Sequence, residues 1–366
     1  MKPEKITCPG CSSTNTIKKG KKKNKLQILQ RFFCKDCKKT FTLKQNNSTY
    51  PLQKILKAIS VYNKGYTIKQ TKQIIKTNAT LPTISNWLKE YKHICTFHNL
   101  RKQAKSLHSP DQIIEQHTFL HNNLPYIFQI HKAKLHLLFH NIRYNNQFIN
   151  QTKFQKPLTQ YLIKIPTKEF PHHIFSSCKT TLSAQHKKEH KATEENNNKE
   201  QRASQLKFNT LPFIKEEKTN LANTLTKLAL NLTKNNNQRH QVIQDFMLTN
   251  DSTTIATEVP VYLTHDDILY FISRGFKLNL QDYKTPITGH IDLLQIRNNL
   301  IHILDYKPNA NQNPVHQLTI YALALASRTK LAIKDFKCAW FNENHYYEFF
   351  PLSAVYKLKE IKQVII

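Results

Sequence analysis

Apolar residues recur at helical spacing soon after residue 50. Leu52, Ile55, Leu56, Ile59 and Val61 predict one helix. Gly65 ends it, and Thr67 can cap a second helix over residues 68–75. Pro82, after Thr80 or Leu81, opens a third helix that runs to Tyr91. There Ile84, Trp87, Leu88 and Tyr91 form an inward face, while Thr83, Ser85, Asn86 and Lys89 stand near the N-terminal end. That is the pattern of a recognition helix offered to a DNA major groove. Residues 126–130 are an apolar stretch. Residues 184–204 are charged and polar and read as a linker or exposed loop. From 205 to 366 helical and strand patterns alternate, which predicts an α/β domain.

The sharpest pattern spans residues 289–307. Two apolar-rich runs flank Asn298-Asn299, and Asn tolerates positive φ, so a two-residue hairpin turn is expected. Arg297 then pairs with Leu300, and the same register brings Asp292 opposite Asp305, with Cβ atoms about 4.5–5.5 Å apart. Lys307 falls on the same face, two residues on. Like charges placed opposite one another destabilise a sheet, and a divalent cation between them supplies a reason for the pair. Leu294, Ile296, Ile301 and Ile303 share that face, which argues against two solvated surface aspartates.

Cysteines change the picture at the N-terminus. Cys8-Pro9-Gly10-Cys11 and Cys34-Lys35-Asp36-Cys37 are two C-x-x-C pairs, and a closed Cys₄ shell is the geometry of structural Zn²⁺. So small a segment has little core of its own, so a metal staple is expected. Between the pairs, residues 26–33 read as a strand and 18–25 as a basic hairpin tip. Cys95, Cys178 and Cys338 have no such partner and read as buried or incidental.

Charge points to the partner. Across 366 residues the formal net charge is +31, which excludes a typical acidic cytosolic enzyme. An AT-rich coding sequence alone would enrich Lys and Asn, but residues 1–105 hold 24 Lys/Arg against 3 Asp/Glu. This concentration reads as an electrostatic footprint for nucleic acid. His/Lys patches near 131–134 and 170–173 read as ordinary surface, with an extension of the DNA-binding surface as the alternative. No run approaches the roughly 18 apolar residues of a membrane helix. Without an apolar stretch behind the basic start, no signal peptide is expected. The expectation is an intracellular, cytoplasmic, DNA-associated protein with no membrane partner.

Residues 5–93 resemble the zinc ribbon and helix-turn-helix at the front of insertion-sequence transposases. The spaced Asp-Asp-Glu core of such enzymes is not found downstream. Asp292, Asp305 and Lys307 instead form an Asp-x₁₂-Asp-x-Lys on a hairpin, which resembles the PD-(D/E)XK nucleases. Gln317 and Tyr321, at i and i+4 of the next helix, narrow the resemblance to the RecB-type exonuclease branch, which includes the nuclease associated with CRISPR loci. It covers roughly residues 205–350. The resemblance implies that Gln317 and Tyr321 support a metal site, that Glu258 is a further acidic residue, and that His240 on a preceding helix is a metal ligand. Asp292, Asp305 and Glu258 would then bind Mg²⁺ or Mn²⁺, and Lys307 would position or deprotonate the attacking water. No iron–sulfur cluster and no ATP-binding loop are expected.

The expected organisation is multidomain: a zinc ribbon over 1–48, an all-α helix-turn-helix over 49–105, a connecting region over 106–204, and an α/β restriction-endonuclease-like domain over 205–366. The expected function is a metal-dependent deoxyribonuclease. The alternative is a transposon-derived DNA-binding regulator whose nuclease fold does not cut, and an RNA-processing nuclease is a third reading.

Overall fold

A computed structural model describes residues 6–23, 28–42, 50–121, 124–138, 143–144, 147–148, 152–165, 170, 201–233, 235–280, 284–309 and 312–357. The chain divides into two compact units, Met1–Lys57 and Ala58–Ile366. Cys178 and the patch residues His172 and His173 lie outside the described residues.

The first unit holds a three-stranded antiparallel sheet of β1 (Thr16–Lys23), β2 (Ile28–Cys34) and β3 (Thr40–Thr42). Phe32 is buried and stacks on Phe41 across β2 and β3. The strand expected over 26–33 is β2. Lys18 to Lys23 belong to β1 itself rather than to a hairpin tip. The register shifts between Lys18 and Lys21, where Gly20 takes φ +70. A bulge of this kind inserts an extra residue and strengthens the local twist of the strand.

In the second unit, α2 (Ile68–Ile74) begins at Thr67, whose hydroxyl caps the Gln70 N–H while the Gln70 side chain returns to the Thr67 N–H. It follows α1 (Leu52–Asn63) after Gly65, which takes φ +105, a conformation that favours glycine. Thr80 caps α3 (Leu81–Tyr91), with Pro82 in its first turn. Ile84, Trp87, Leu88 and Tyr91 are its buried face, as their spacing implied. After α4 (Arg101–Leu107) the chain enters a nine-stranded mixed sheet.

That sheet begins with β4 (Ile114–His121) and β5 (Leu124–His131), so the expected connecting region supplies two of its strands. Next come α5 (Lys132–Leu137), the small ribbon of β6 (Arg143–Tyr144) and β7 (Gln147–Phe148), and α6 (Thr152–Lys164). Then follow β8 (Gln201–Arg202), β9 (Glu216–Glu217), α7 (Leu221–Leu230) and α8 (Arg239–Asn250). The sheet centre is an antiparallel meander of β10 (Thr254–Leu263), β11 (Ile287–Arg297) and β12 (Leu300–Tyr306), with α9 (His265–Ser273) between β10 and β11. The helix α10 (Val315–Thr329) crosses over to β13 (Phe336–Phe341), which runs parallel to β12 and pairs with β14 (Tyr346–Phe349). A last helix, α11 (Pro351–Val355), closes the described chain.

The core is the packing of α10 on β10, β12 and β13. α10 is apolar around most of its circumference and buried to match, from Leu318 to Ala326. His131 and Lys134 are wholly buried rather than surface. Lys134 Nζ donates to the carbonyls of Leu248 and Thr254, so the ammonium closes the end of α8 against the start of β10. No described helix is long and apolar enough to cross a membrane.

Candidate functional site

Two constellations hold chemistry. In the first unit, the four sulfurs of Cys8, Cys11, Cys34 and Cys37 lie within 4.8 Å of one another. Cys8 Sγ is 3.6 Å from Cys37 Sγ, and Cys11 Sγ is 3.5 Å from Cys34 Sγ. A tetrahedron with Zn–S arms of about 2.3 Å has edges of about 3.8 Å, so the cluster could hold a structural zinc. Both C-x-x-C turns are wired alike. Cys8 N–H donates to Ser13 O and Cys34 N–H to Lys39 O. Ser12 and Lys38, each just after a second cysteine, both take φ +57. Backbone N–H groups of Cys37 and Asp36 face the Cys34 sulfur and lower its pKa to about 7, against its burial. Against the Ser13 backbone, the crowding of sulfurs pushes the Cys11 thiol up to about 12, so without a cation the cluster does not hold all four cysteines as thiolates.

The second constellation is a cleft of about 230 Å³ in the large sheet. Its origin is a fork. β11 pairs with β10 along its whole length, from Ile287↔Leu263 to Gln295↔Thr254. On its other edge β11 pairs with β12 only from Arg297↔Leu300 to Leu293↔Leu304. That is the register read from the Asn298-Asn299 turn, whose two residues take φ +52 and +56. The ladder stops one pair short of Asp292 and Asp305. Instead Tyr306 N–H donates to Asp292 Oδ2 at 2.9 Å. β12 leaves β11 here and stays with β13, through Tyr306↔Phe341 and Lys307 N–H to Phe341 O. Farther along, β8 takes the vacated edge at Ile287↔Gln201 and Thr288↔Arg202.

Three carboxylates line the gap. Thr257↔Leu293 and Val259↔Ile291 place Glu258 opposite Asp292, and Asp305 ends β12 on the other side. Glu258 sits at φ +50 inside a strand. Gln244 Nε2 donates to Glu258 Oε1 at 2.6 Å. Burial first, and the nearby Asp292 charge second, push the Glu258 carboxyl up to about 8 and the Asp305 carboxyl up to about 7.

The remaining expected residues surround these acids. Lys307 Nζ is 2.7 Å from Asp305 Oδ2. Burial opposes the Lys307 charge, but Asp305 outweighs it and the ammonium pKa is raised. Gln317 is the bridge: its Nε2 donates to Tyr321 OH at 2.9 Å and to Asp305 Oδ1 at 3.4 Å, and its Oε1 accepts from Lys307 at 3.4 Å. His240 Nδ1 lies 3.6 Å from Asp292 Oδ2, and the nearness of this carboxylate raises the imidazole pKa despite burial. The structure therefore brings together all seven of the cleft residues named from sequence.

Others escaped the reading, among them Tyr126 and Ser204, which line the cleft. Gln244 stands one turn beyond His240 on α8, and that i,i+4 spacing is a signal that could have found it. Gly289 lies against the Tyr321 ring. Arg202 and His290 also line the cleft. Arg202 belongs to the stretch expected to be a linker, and no local pattern marks it. On α3, Asn86 and Lys89 are exposed, whereas Thr83 and Ser85 are half-buried. The Thr83 hydroxyl bonds back to that of Thr80 at 2.8 Å. No family model, no curated protein and no solved structure matches the chain.

Proposed function

We propose that the protein is a metal-dependent nuclease acting on DNA, with its cutting site in the fork between β11 and β12. The observation that supports this most is that Glu258, Asp292 and Asp305, from three neighbouring strands, line one cleft with Lys307 bonded to one of them. Their donor atoms do not all lie within 4.8 Å of one another, so an ion would draw them closer. Carboxylates crowded into a buried cleft repel unless a cation joins them. An all-oxygen donor set suits Mg²⁺ or Mn²⁺. Asp292, Asp305 and Glu258 would hold the ion, with His240 at the rim. When bound, such an ion supplies a Lewis acid and a water of lowered pKa.

The chain's own groups account for the rest. Lys307 carries a positive charge where a phosphodiester gains negative charge during hydrolysis. Its contacts with Asp305 and Gln317 fix the ammonium before substrate arrives. Gln317, held by Tyr321, ties the Lys307 and Asp305 side chains to α10. This arrangement is the one implied by the resemblance to the RecB-type PD-(D/E)XK branch. The lysine-rich β1 in the first unit, and Asn86 and Lys89 on α3 in the second, are the groups that would each contact DNA.

The test is incubation of the full chain with linear duplex, circular duplex and single-stranded DNA, and with RNA, with and without Mg²⁺ or Mn²⁺. Metal-dependent DNA cleavage that Asp305→Asn and Lys307→Ala abolish is the expected result. DNA binding with no cleavage under any metal would favour the non-cutting regulator instead. Cleavage of RNA alone would change the substrate class.

A further inference from the structure

The proposed chemistry occupies only one jaw of the cleft. The other jaw is β8 and the turn after it, where Arg202 and Ser204 line the same space. Given the nuclease reading, we infer that Arg202 and Ser204 form a second phosphate subsite, which grips the substrate strand a few nucleotides from the bond that is cut.

The fork sets the geometry. Arg202 is paired with Thr288, and Asp292 lies four residues farther along β11. At about 3.3 Å per strand residue, the backbone of the two jaws is about 13 Å apart. Nucleotides advance about 3.4 Å along a duplex axis, and farther on an extended strand. The jaws are thus no more than about four linkages apart. Between them β11 has given up β12 as a partner, and Gly289, His290 and Ile291 are buried. A strand would therefore pass over the mouth of the cleft, from the half-buried Asp292 to Arg202 and the exposed Ser204.

Arg202 is prepared for this work. Its Nη2 donates to Tyr126 OH at 2.9 Å, and the Tyr126 ring packs on His290 with centroids 4.0 Å apart. β8 is anchored by Gln201 N–H to Pro286 O, and Ala203 is buried beneath. The guanidinium is therefore mounted on a fixed strand end. Its planar fork matches two phosphate oxygens, and the Ser204 hydroxyl adds a donor. The opposite jaw is acidic and repels a polyanion, so a cation here offsets that repulsion for the neighbouring phosphate. His290 cannot serve in its place. It is buried, with its ring against Tyr126 and its Nε2 3.0 Å from His121 Nδ1.

The test uses the full chain with Mn²⁺ and end-labelled DNA strands, each with one neutral methylphosphonate linkage at a different position. Wild type should cut about tenfold more slowly when the neutral linkage falls at one fixed distance, within about four nucleotides, from the scissile bond. On ordinary DNA, Arg202→Gln should raise KM about tenfold with a much smaller change in kcat. It should also lose the position-dependent penalty. Arg202→Lys should retain part of that penalty, as a point charge without the fork. If Arg202→Gln melts well below wild type, Tyr126→Phe takes its place: it removes only the phenol that holds Arg202 and should reduce the same penalty. An active wild type whose scan Arg202→Gln and Tyr126→Phe leave unchanged overturns the subsite alone. A wild type that cuts nothing overturns the nuclease reading, and the subsite with it.

Discussion

Glu258 faces Asp292 across β10 and β11 from a left-handed backbone conformation, φ +50, in the middle of a strand. A non-glycine residue in that region stores about 1–3 kcal/mol and persists only where its surroundings hold it. Ladder pairs on both sides and the bond from Gln244 do so here. The kink turns a strand position into one that lines the cleft, beside two other acids.

The first prediction concerns that crowding. Asp292→Asn removes a charge from between Glu258 and Asp305, yet leaves an acceptor for Tyr306 N–H. In EDTA it should be more stable than wild type by about 1 kcal/mol, judging from cross-strand pair energies. Wild type should gain stability on adding Mn²⁺, because only the folded cleft binds the ion, and Asp292→Asn should gain far less. Lys307→Ala should keep most of the gain and lose cleavage. Thermal melts decide the matter: an Asp292→Asn protein that is weaker in EDTA and fully metal-responsive would mean the acids share no site.

The second prediction is a pH dependence. Glu258 and Asp305 have folded pKa values of about 8 and about 7, above the unfolded values near 4. Between these limits the folded chain holds more protons than the unfolded chain. These two groups therefore contribute metal-free stability that falls as pH rises from about 4 to about 8 and is complete below about pH 4. The buried His131, His290 and His302, held well below the ordinary range by burial, act in the opposite direction below about pH 6.5. Melting temperatures in EDTA at pH 5 and pH 8 measure it. Relative to wild type, Asp305→Asn should lose part of the fall between pH 5 and pH 8, and a pH dependence identical to wild type would discount Asp305 as one of its sources.

Features that depend on local chemistry were legible in the chain. The Asn298-Asn299 turn set the register down to Leu293↔Leu304, and the α3 spacing named its buried face. The two cysteine turns were equally plain. What remained hidden depends on distant neighbours. Arg202 sits in a polar stretch whose role comes only from pairing with Thr288. His131 and Lys134 looked like surface because nothing near them announces that the Leu248 and Thr254 carbonyls need a donor. The fork itself could not be read from the hairpin pattern, which predicts continued pairing at Asp292 and Asp305.

The third prediction concerns the cysteine cluster. Purified protein should carry one zinc per chain, because four thiolates at these separations close the shell. Cys34→Ser should release it and weaken DNA binding, while Mn²⁺ still stabilises the second unit. Metal analysis that finds no zinc, or a Cys34→Ser protein with unaltered DNA affinity, would count against the reading. Replacing Lys18, Lys19 and Lys21 with Gln should leave the zinc in place and flatten the salt dependence of binding, since fewer counterions are released.

The fourth prediction tests how closely α10 is fitted to β11. A Cβ at Gly289 would lie 2.3 Å from Tyr321 Cε1 and 3.0 Å from both its Cζ and its hydroxyl. Tyr321 is buried and cannot swing away without breaking its bond to Gln317, which in turn contacts Asp305 and Lys307. Gly289→Ala should therefore cost about 1–3 kcal/mol by overpacking and reduce cleavage as well. Tyr321→Phe should not relieve the strain, because the offending carbon remains. Tyr321→Ala alone should cost about 3–5 kcal/mol by leaving a cavity. Combined with Gly289→Ala it should be less damaging than the sum, by about 1 kcal/mol or more, because the ring that the methyl strikes has gone. Denaturant unfolding of the two single variants and the double variant gives that coupling directly. Strict additivity would show that the ring and Gly289 are not in contact, and α10 would then lose its close seat beside the carboxylates.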